Sequence, residues 1–388
     1  MGEADDRATA LFPELAREEL PAVSTGVLPY QRIRALVRDG RITAAEPVAD
    51  DQVQPASLDL RLGAVAYRLQ ASFLSGRHST VARKLDALSM AELDLSSPTV
   101  LEKGCVYLAP LLESLRLPRG VSAKANPKST TGRLDVFTRL ITDYGSEFER
   151  VPDGYSGPLF AEIVPRTFSV IVQRGVRLSQ LRFVRGKPPP TDSLLERLDE
   201  ADNLVYLEDD GPAVADIQKG VRLSVSLRGR DAADVVGYRG RKNAPLVDLR
   251  RVGHYDPSAF WDEIRDLPDD RLILNPGDFY ILGSRERVVV PPDCAAEMVP
   301  FDPTVGEFRI HYAGFFDPGF GYGDESDKGT RVVLEVRAHE VPFVIEHGQV
   351  VGRVVYSRLL EVPEKIYGAS IGSSYQRQGL ALSKQFRR

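Results

Sequence analysis

The chain has 388 residues, a length that suits two domains of average size. Hydrophobic residues make up 43% and charged residues 27% of it, a balance typical of a soluble globular protein, and a net charge of −5 gives no overall attraction to nucleic acid. Two isolated cysteines, Cys105 and Cys294, exclude a disulfide framework and are too few thiolates for a structural zinc site.

No stretch approaches the ~20 apolar residues of a membrane span. The first residues, Met1–Arg7, are acidic and polar, which is wrong for a signal peptide. We therefore expect a cytoplasmic protein with neither a membrane nor a nucleic-acid partner. An anionic ligand would need a locally basic pocket.

Helix signals are few along the chain. Tyr30–Val37 predicts a helix because its apolar residues fall on one side before Gly40. Pro188–Asp210 resembles a linker with a charged helical stretch at Ser193–Asp202. Asp256–Ile264 also predicts a helix, since it begins with an Asp cap and a proline at the first helical position.

Strand signals dominate the rest of the chain. Leu159–Val164 and Arg331–Arg337 alternate between apolar and other residues, as half-buried strands do. Apolar runs at Phe168–Val172 and Val350–Tyr356 each lie near a glycine turn. Many short strands with regular turns predict a sandwich or jelly-roll-like domain, twice over.

The two halves carry matching landmarks that are always 173 positions apart. A repeat of that length makes each copy a whole domain, because it is far too long for a solenoid unit. The alternative is a chance match of common glycine and proline punctuation. The matched pairs are Gly104 and Gly277, Tyr107 and Tyr280, Pro118 and Pro291, Pro127 and Pro300, Glu162 and Glu335, and Gly175 and Gly348.

The segment Asn126–Arg133, which we name the phosphate turn, supplies what a polyphosphate needs. Its backbone N–H groups and hydroxyls donate to phosphate oxygens, and Arg133 offers a bidentate guanidinium. The spacing of a Walker P-loop is absent. The alternative is a solvated polar turn without function.

The strand glutamates Glu162 and Glu335 stand at equivalent places in the two copies. A carboxylate held among apolar residues has a raised pKa, which suits proton transfer near neutral pH. The alternative is an exposed strand residue in each copy.

Two later segments have the form of ligand-binding parts. Ile310–Phe320 contains the turn signature Asp317-Pro318-Gly319, which suits a hairpin that presents backbone groups to a ligand, or only a turn. The tail, with Tyr367 and Ser374–Gly379, suits a lid that closes over a ligand, or a frayed polar end.

Taken in this order, the segments resemble the dCTP deaminase family, relatives of the trimeric dUTPases. The resemblance begins at the helix and Gly-Arg-Ile turn of Ile33–Ile42, and Gln54–Gly63 is a distinctive match to the family's first motif. It implies a mainly β fold with a few short helices, made of two fused dUTPase-like (β-clip, or distorted jelly-roll) domains. We place copy one at residues 1–200 and copy two at residues 201–388.

The resemblance also implies roles for individual residues. The catalytic set would be Glu335, Glu162, Arg133 and Ser129, with one or both glutamates active. The substrate-binding set would be Lys128 and Thr130 in the phosphate turn, Ala313 and Asp317 in the nucleoside hairpin, and Tyr367, Tyr375 and Gln378 in the C-terminal lid.

These motifs are split between the copies. Copy two's equivalent of the phosphate turn, Pro300–Glu307, lacks the serine pair and the arginine, and copy one offers Asp143 where the family has alanine. Because the family's sites lie between subunits of a trimer, we hypothesise that each copy kept half of a shared site, in a homotrimer of the fused chain. Ser374 replaces a lysine frequent in the family's lid, for which Lys365 or Arg377 would have to compensate.

The reaction implied is hydrolysis of dCTP to dUTP and ammonia, a step in dUTP and dTTP biosynthesis. The zinc signature of other nucleobase deaminases is absent from the sequence, so the resemblance implies proton transfer by glutamate, with Arg133 and Ser129 holding the water. Mg²⁺ would arrive with the triphosphate and no site for a resident metal is expected.

Two rival functions stay open at this level. A dUTP pyrophosphatase, or a bifunctional enzyme that goes on to hydrolyse dUTP, is favoured by Asp143 in copy one. A non-catalytic nucleotide-binding regulatory protein is favoured by the loss of function that often follows duplication.

Overall fold

The structure is a computed structural model. It describes residues 24–189, 192–207, 211–300, 308–311, 314–323, 329–338, 340–366 and 379–388. These residues form mainly short strands with a few short helices, as the sequence predicts. No helix among them is long and apolar enough to cross a membrane.

Copy one holds three helices and thirteen strands within its described residues. In chain order they are β1 (Gly26–Val27), α1 (Tyr30–Arg38), β2 (Ile42–Ala44), a 3-10 turn (Asp50–Gln52), β3 (Leu58–Arg61), β4 (Val65–Leu69), α2 (Val81–Leu88), β5 (Ser89–Asp94), β6 (Thr99–Leu101), β7 (Val106–Arg116), β8 (Val121–Pro127), α3 (Ser129–Gly132), β9 (Val136–Thr142), β10 (Arg150–Val151), β11 (Ser156–Pro165), β12 (Val170–Val172) and β13 (Arg177–Arg185).

Copy two follows the same plan in the part of the chain that is described. Its elements are α4 (Asp192–Ala201), β14 (Val205–Leu207), β15 (Gly211–Ala213), β16 (Val221–Ser226), β17 (Gly237–Gly240), β18 (Val247–Asp248), a 3-10 turn (Pro257–Ala259), β19 (Trp261–Ile264), a 3-10 turn (Pro268–Asp270), β20 (Arg271–Leu274), β21 (Tyr280–Val288), β22 (Cys294–Pro300), β23 (Phe308–His311), β24 (Phe315–Phe316), β25 (Thr330–Ala338), β26 (Phe343–Glu346) and β27 (Val350–Arg358).

The duplication is confirmed by equivalent local structure. The hydroxyl of Tyr107 accepts the backbone N–H of Glu102 at 3.0 Å, and the hydroxyl of Tyr280 accepts that of Asn275 at 3.1 Å. The turn glycines of the two copies also share a left-handed backbone that disfavours other residues, for Gly104 and Gly277 both have φ 78°. The matched residues are therefore turn and anchor positions that each copy of the fold requires.

The sheets place the two copies' glutamates in equivalent ladders. In copy one, β11 lies between β7 and β9, with Glu162 opposite Leu108 on β7. In copy two, β25 lies between β21 and β23, with Glu335 opposite Ile281 on β21. Both copies have their own hydrophobic core, and several side chains of copy two complete the core of copy one.

The two copies meet through a connection of copy two that returns to copy one. Strand β18 pairs in parallel with β12 of copy one. Phe168 of copy one packs edge-on against Phe260 and Trp261 at ring distances of 5.7 and 5.2 Å, and Phe386 packs against Phe260 at 5.2 Å. Such pairs add about 0.5–1.5 kcal/mol each beyond area burial, so this cluster joins the copies firmly.

The helix expected at Asp256–Ile264 is wrong beyond its first turn. Asp256 does cap, accepting the N–H of Ser258 at 2.9 Å, but only the 3-10 turn Pro257–Ala259 follows. Trp261–Ile264 instead forms β19 against β17. Burial of the aromatic residues in the junction overrides the local helix signal.

The helices expected at Tyr30–Val37 and Ser193–Asp202 are confirmed as α1 and α4. The second does not stand free as a linker helix, because Leu195 is buried in the core of copy two. The domain boundary at residue 200 stays a prediction.

Candidate active site

The phosphate turn ends β8 and folds into a single helical turn, α3. The N–H groups of Gly132 and Arg133 donate to the carbonyls of Lys128 and Ser129, both at 3.0 Å. Ser129 and Thr130 are half-buried, so their hydroxyls remain accessible. Lys128 reaches back to the first motif, with its Nζ 2.5 Å from Oδ1 of Asp59.

The positively charged side chain of Arg133 extends from the phosphate turn toward copy two. Its side chain is buried, and its Nη1 donates to the carbonyl of Ala381 in the C-terminal segment at 3.0 Å. Its positive charge acts on the carboxyl of Glu335 in copy two and partly opposes the rise in the pKa of that group. The two halves of the predicted shared site therefore meet within one chain.

Glu335 lies in a nearly dry environment on β25, with 6% of its surface exposed. Burial raises the pKa of Glu335 to about 8, because desolvation of the carboxylate outweighs the attraction of Arg133. The nearby carboxylate of Asp135 raises it further. A carboxyl with this pKa exchanges a proton readily near neutral pH.

Glu162, the counterpart in copy one, is fully buried but differently held. Arg139 donates to its Oε1 from both Nε at 3.0 Å and Nη2 at 2.5 Å. The same guanidinium stacks on Phe148, 3.5 Å from the ring centre. This geometry is that of a structural ion pair, so the structure separates two residues that the sequence treats as equivalent.

The nucleoside hairpin is described in part. Asp317 opens a turn that is closed by the N–H of Phe320, which donates to the carbonyl of Asp317 at 3.1 Å. The carboxylate of Asp317 lies 3.6 Å from Nη2 of Arg182 in copy one. Burial raises the pKa of Asp317, while the charges of Arg182 and Lys128 oppose the shift. The hairpin thus packs on the same face of copy one as the phosphate turn. Ala313 lies outside the described residues.

The predicted lid residues Tyr367, Tyr375 and Gln378 also lie outside the described residues. The segment after them, Gly379–Arg388, is packed against copy one. Ser383 donates its hydroxyl to the carbonyl of Thr130 at 2.8 Å. The end of the chain therefore braces the phosphate turn.

Neither proposed substitute for the missing lid lysine is placed at this site. Lys365 pairs with Asp50 at 2.5 Å and lies over the ring of Tyr30, so its charge is committed there. Arg377 is not among the described residues.

A cavity of about 300 Å³ adjoins the phosphate turn on its copy-one side. It brings together three cationic side chains and one buried carboxylate. Burial lowers the pKa of Lys384, and the charge of Lys128 lowers it further, as expected where positive charges crowd. Among its lining residues are Asp59, Lys128, Thr130, Arg177, Lys384 and Gln385.

Asp143 performs a different task from the one its position suggested. Its carboxylate accepts the N–H of Val81 at 2.7 Å, at the first residue of α2. It thus accepts a backbone hydrogen bond at the N-terminus of α2, whose cap residue is Thr80. This contact gives no support to a dUTP-hydrolysing site.

Sequence reasoning missed Arg182, which is buried at the junction. It donates to the carbonyls of Ala296 at 2.7 Å and Phe316 at 3.1 Å, and its guanidinium lies 4.0 Å from the ring centre of Phe315. Its signal was weak but present, namely an arginine between the apolar residues Leu181 and Phe183 in a strand.

Among the described residues, no group of three or more His, Cys, Asp or Glu side chains is arranged to hold a metal ion.

The comparisons with known proteins agree with the duplicated architecture. The family model described as the 2'-deoxycytidine 5'-triphosphate deaminase (DCD) N-terminal domain matches residues 24–187, and that of the DCD C-terminal domain matches residues 191–386. The chain belongs to the dCTP deaminase family. The resemblance drawn from the sequence motifs is confirmed, and so is the mainly β, two-domain fold.

Individual dCTP deaminases show how much is shared. A crystal structure of the 2'-deoxycytidine 5'-triphosphate deaminase from Agrobacterium tumefaciens is 50% identical, covers 87% of this chain and all of that one, and superposes with a TM-score of 0.82. The "dCTP deaminase, dUMP-forming" of Halobacterium salinarum is 31% identical over 36% of this chain and 67% of its own. The "dCTP deaminase" of Natronomonas pharaonis is 30% identical over 42% and 82%.

Proposed function

We propose that this chain is a dCTP deaminase with one composite site, built in a single chain from the phosphate turn of copy one and strand β25 of copy two. The observation that carries the proposal is the buried Glu335 of copy two under the charge of Arg133 of copy one. Family membership and the names of the relatives support the substrate.

The reaction adds water at C4 of cytosine and releases ammonia, so that dCTP and H₂O give dUTP and NH₃. Glu335 takes a proton from the attacking water and delivers it to ring N3, which leaves a hydroxyl on C4. It then takes the proton of that hydroxyl and gives it to the amine, which departs as NH₃ as the C4–N bond breaks and C4=O forms. Its pKa near 8 lets one carboxyl serve in both directions. Arg133 and Ser129 hold the water and balance the charge that develops.

The triphosphate is best placed along the phosphate turn and its cationic cavity. Lys128, Arg177 and Lys384 supply positive charge there, and the hydroxyls of Ser129 and Thr130 supply donors. Mg²⁺ comes as part of the substrate, held mainly by phosphate oxygens and water. No described cluster of protein ligands offers it a cage.

A second candidate is a dUMP-forming deaminase, which hydrolyses the dUTP it makes. The names of the relatives from Halobacterium salinarum and Kocuria rhizophila favour it, for both are called dUMP-forming. Asp143 no longer does.

The decisive experiment measures ammonia and pyrophosphate release from dCTP with Mg²⁺, using protein first treated with a zinc chelator. We expect ammonia from the wild type and a loss of about 10³-fold in kcat for Glu335→Gln, within the range of general acid–base catalysis. Stoichiometric pyrophosphate would establish the dUMP-forming reaction. Binding of dCTP without any ammonia would instead leave a nucleotide-binding protein.

A further inference from the structure

A second buried ion pair joins the two segments that carry Arg133 and Glu335. Asp135 lies two residues after Arg133, and Arg337 lies two residues after Glu335. The Nε of Arg337 is 3.2 Å from both carboxylate oxygens of Asp135, and its Nη2 also contacts Oδ2. Asp135 is fully buried and Arg337 is 5% exposed.

A third residue closes the network. Thr167 donates its hydroxyl to Oδ2 of Asp135 at 2.6 Å and accepts from Nη2 of Arg337 at 2.9 Å. Arg337 also donates from Nη1 to the carbonyl of Gly277 at 3.1 Å. The pair is thus tied to copy one through Thr167 and to copy two through Gly277.

The backbone of Asp135, like its side chain, is held by hydrogen bonds. Its φ of 55° lies in the left-handed region, and its N–H donates to the carbonyl of Gly132 at 2.8 Å. Its carbonyl accepts the N–H of Arg166 at 2.9 Å. A non-glycine residue in this conformation costs about 1–3 kcal/mol and persists only where its surroundings enforce it.

The pair is present at one junction only. In the ladders Val136 lies opposite Pro165 and Phe308 lies opposite Ala338, so the counterpart of Asp135 is Glu307, outside the described residues. The position equivalent to Arg337 in copy one is Val164, which carries no charge. The two charges therefore occur together solely where the phosphate turn of copy one faces β25 of copy two. A buried ion pair is weak evidence for a contribution to stability. We therefore attribute to this pair a role in fixing the geometry of the site.

We propose that Asp135 and Arg337 are positioning residues that hold the Arg133 guanidinium against the Glu335 carboxyl for deamination. This inference rests on the proposed function. Residues two apart on a strand share a face, so Arg337 fixes the face that presents Glu335. Asp135 is two residues after Arg133, so its contacts fix the end of the short segment that carries Arg133. A displacement of about 1 Å between reacting groups costs about 10²-fold in rate.

The pair also balances charge beside Glu335. The charges that act on it are those of Arg133 and Asp135 from the phosphate-turn side; Arg337 lies two residues along its own strand, and His311 is opposite it in the ladder with β23. Loss of the Asp135 charge would remove a carboxylate that raises the pKa of Glu335, so that pKa would fall. Loss of both charges would largely restore it.

The test compares Asp135→Asn, the double variant Asp135→Asn/Arg337→Gln and the wild type in ammonia release across pH. We expect kcat of Asp135→Asn to fall about 10²-fold with KM within about threefold, and the rising limb of its kcat/KM profile to move to lower pH. The double variant should return that limb toward its wild-type position. If Asp135→Asn does not fold, Arg337→Lys, which keeps the charge but loses the fork of donors, replaces it. Its kcat should fall with KM within about threefold while the pH limb stays at its wild-type position, and wild-type kinetics in this variant would overturn the positioning role.

The matched control is Lys124→Gln. Lys124 also forms an ion pair across the copies, 2.9 Å from Glu297, but it lies outside the site, so kcat and the pH limb should be unchanged. An equal loss in this control, or wild-type kinetics in Asp135→Asn, overturns the positioning role. A wild type that releases no ammonia overturns the proposed function itself, and the positioning role with it.

Discussion

Glu162 and Glu335 occupy the same place in two copies of one fold, yet their surroundings differ. Glu162 is held by a guanidinium from the neighbouring strand, whereas Glu335 is buried with a raised pKa under the charge of an arginine from the other copy. The ladder position opposite Glu162 is Arg139, and the one opposite Glu335 is His311. The same position thus carries a salt bridge in copy one and, in copy two, the environment of the proposed proton carrier.

The difference between Glu162 and Glu335 is tested most directly by a substitution of Arg133. Arg133→Met should lower kcat/KM by about 10²–10³-fold, as removal of one preorganised donor does. It should also move the rising limb to higher pH by about one unit, because loss of a nearby positive charge raises the pKa of Glu335. The measurement is ammonia release from pH 6 to 10. A limb that does not move, or moves to lower pH, would contradict the proposed contact.

Glu162→Gln should affect stability where Glu335→Gln affects activity. It breaks a buried ion pair, and we expect about 3 kcal/mol less free energy of unfolding, the low end for such pairs because Arg139 is one-quarter exposed. Urea denaturation measures this. Ammonia release at 25 °C should stay within about threefold of the wild type. Abolished turnover in folded Glu162→Gln would reverse the assignment of the two glutamates.

Glu335 also makes the stability of the fold depend on pH. A carboxyl whose folded pKa is raised binds its proton more tightly in the folded state, so its contribution is favourable at low pH and is lost as pH rises from about 4.5 to 8. Glu335→Gln should therefore gain stability relative to the wild type, by at most about 1.4 kcal/mol per pH unit across that window. Denaturation at pH 5, 6, 7 and 8 measures this difference, in which the similarly raised pKa of Glu149 cancels.

The smallest expected effect is that of dilution. Since both halves of the proposed site belong to one chain, activity per chain should be constant over about a thousandfold dilution, whatever oligomer forms. Activity measured beside sizing by light scattering tests this. A specific activity that falls as oligomers dissociate would indicate instead that the site lies between subunits.

Much of the fold was predictable because its signals are local. Gly104 and Gly277 are fixed by their left-handed turns, and the strand that carries Glu335 is marked by its alternating apolar residues. The end of the helical turn after Asp256 was not predictable. The cap is a local signal, but Trp261 packs in an aromatic cluster formed by residues that are distant in the chain.

The candidate site divides in the same way. Ser129, Thr130 and Arg133 were identified from their residue types in one turn. The contact of Asp143 with a helix was not foreseen, because nothing near it in sequence links it to the N-terminus of a helix some sixty residues earlier.

The sequence by itself determined that this chain is a duplicated β protein of the dCTP deaminase family, because turn chemistry, alternation and motif order are properties of short segments. Only the tertiary structure decided which glutamate faces Arg133 and that Arg337 pairs with Asp135 across the copies. The physical reason is that pKa and ion pairing depend on burial and on distances in space. The partners in that pair lie 202 residues apart along the chain, where no local pattern links them.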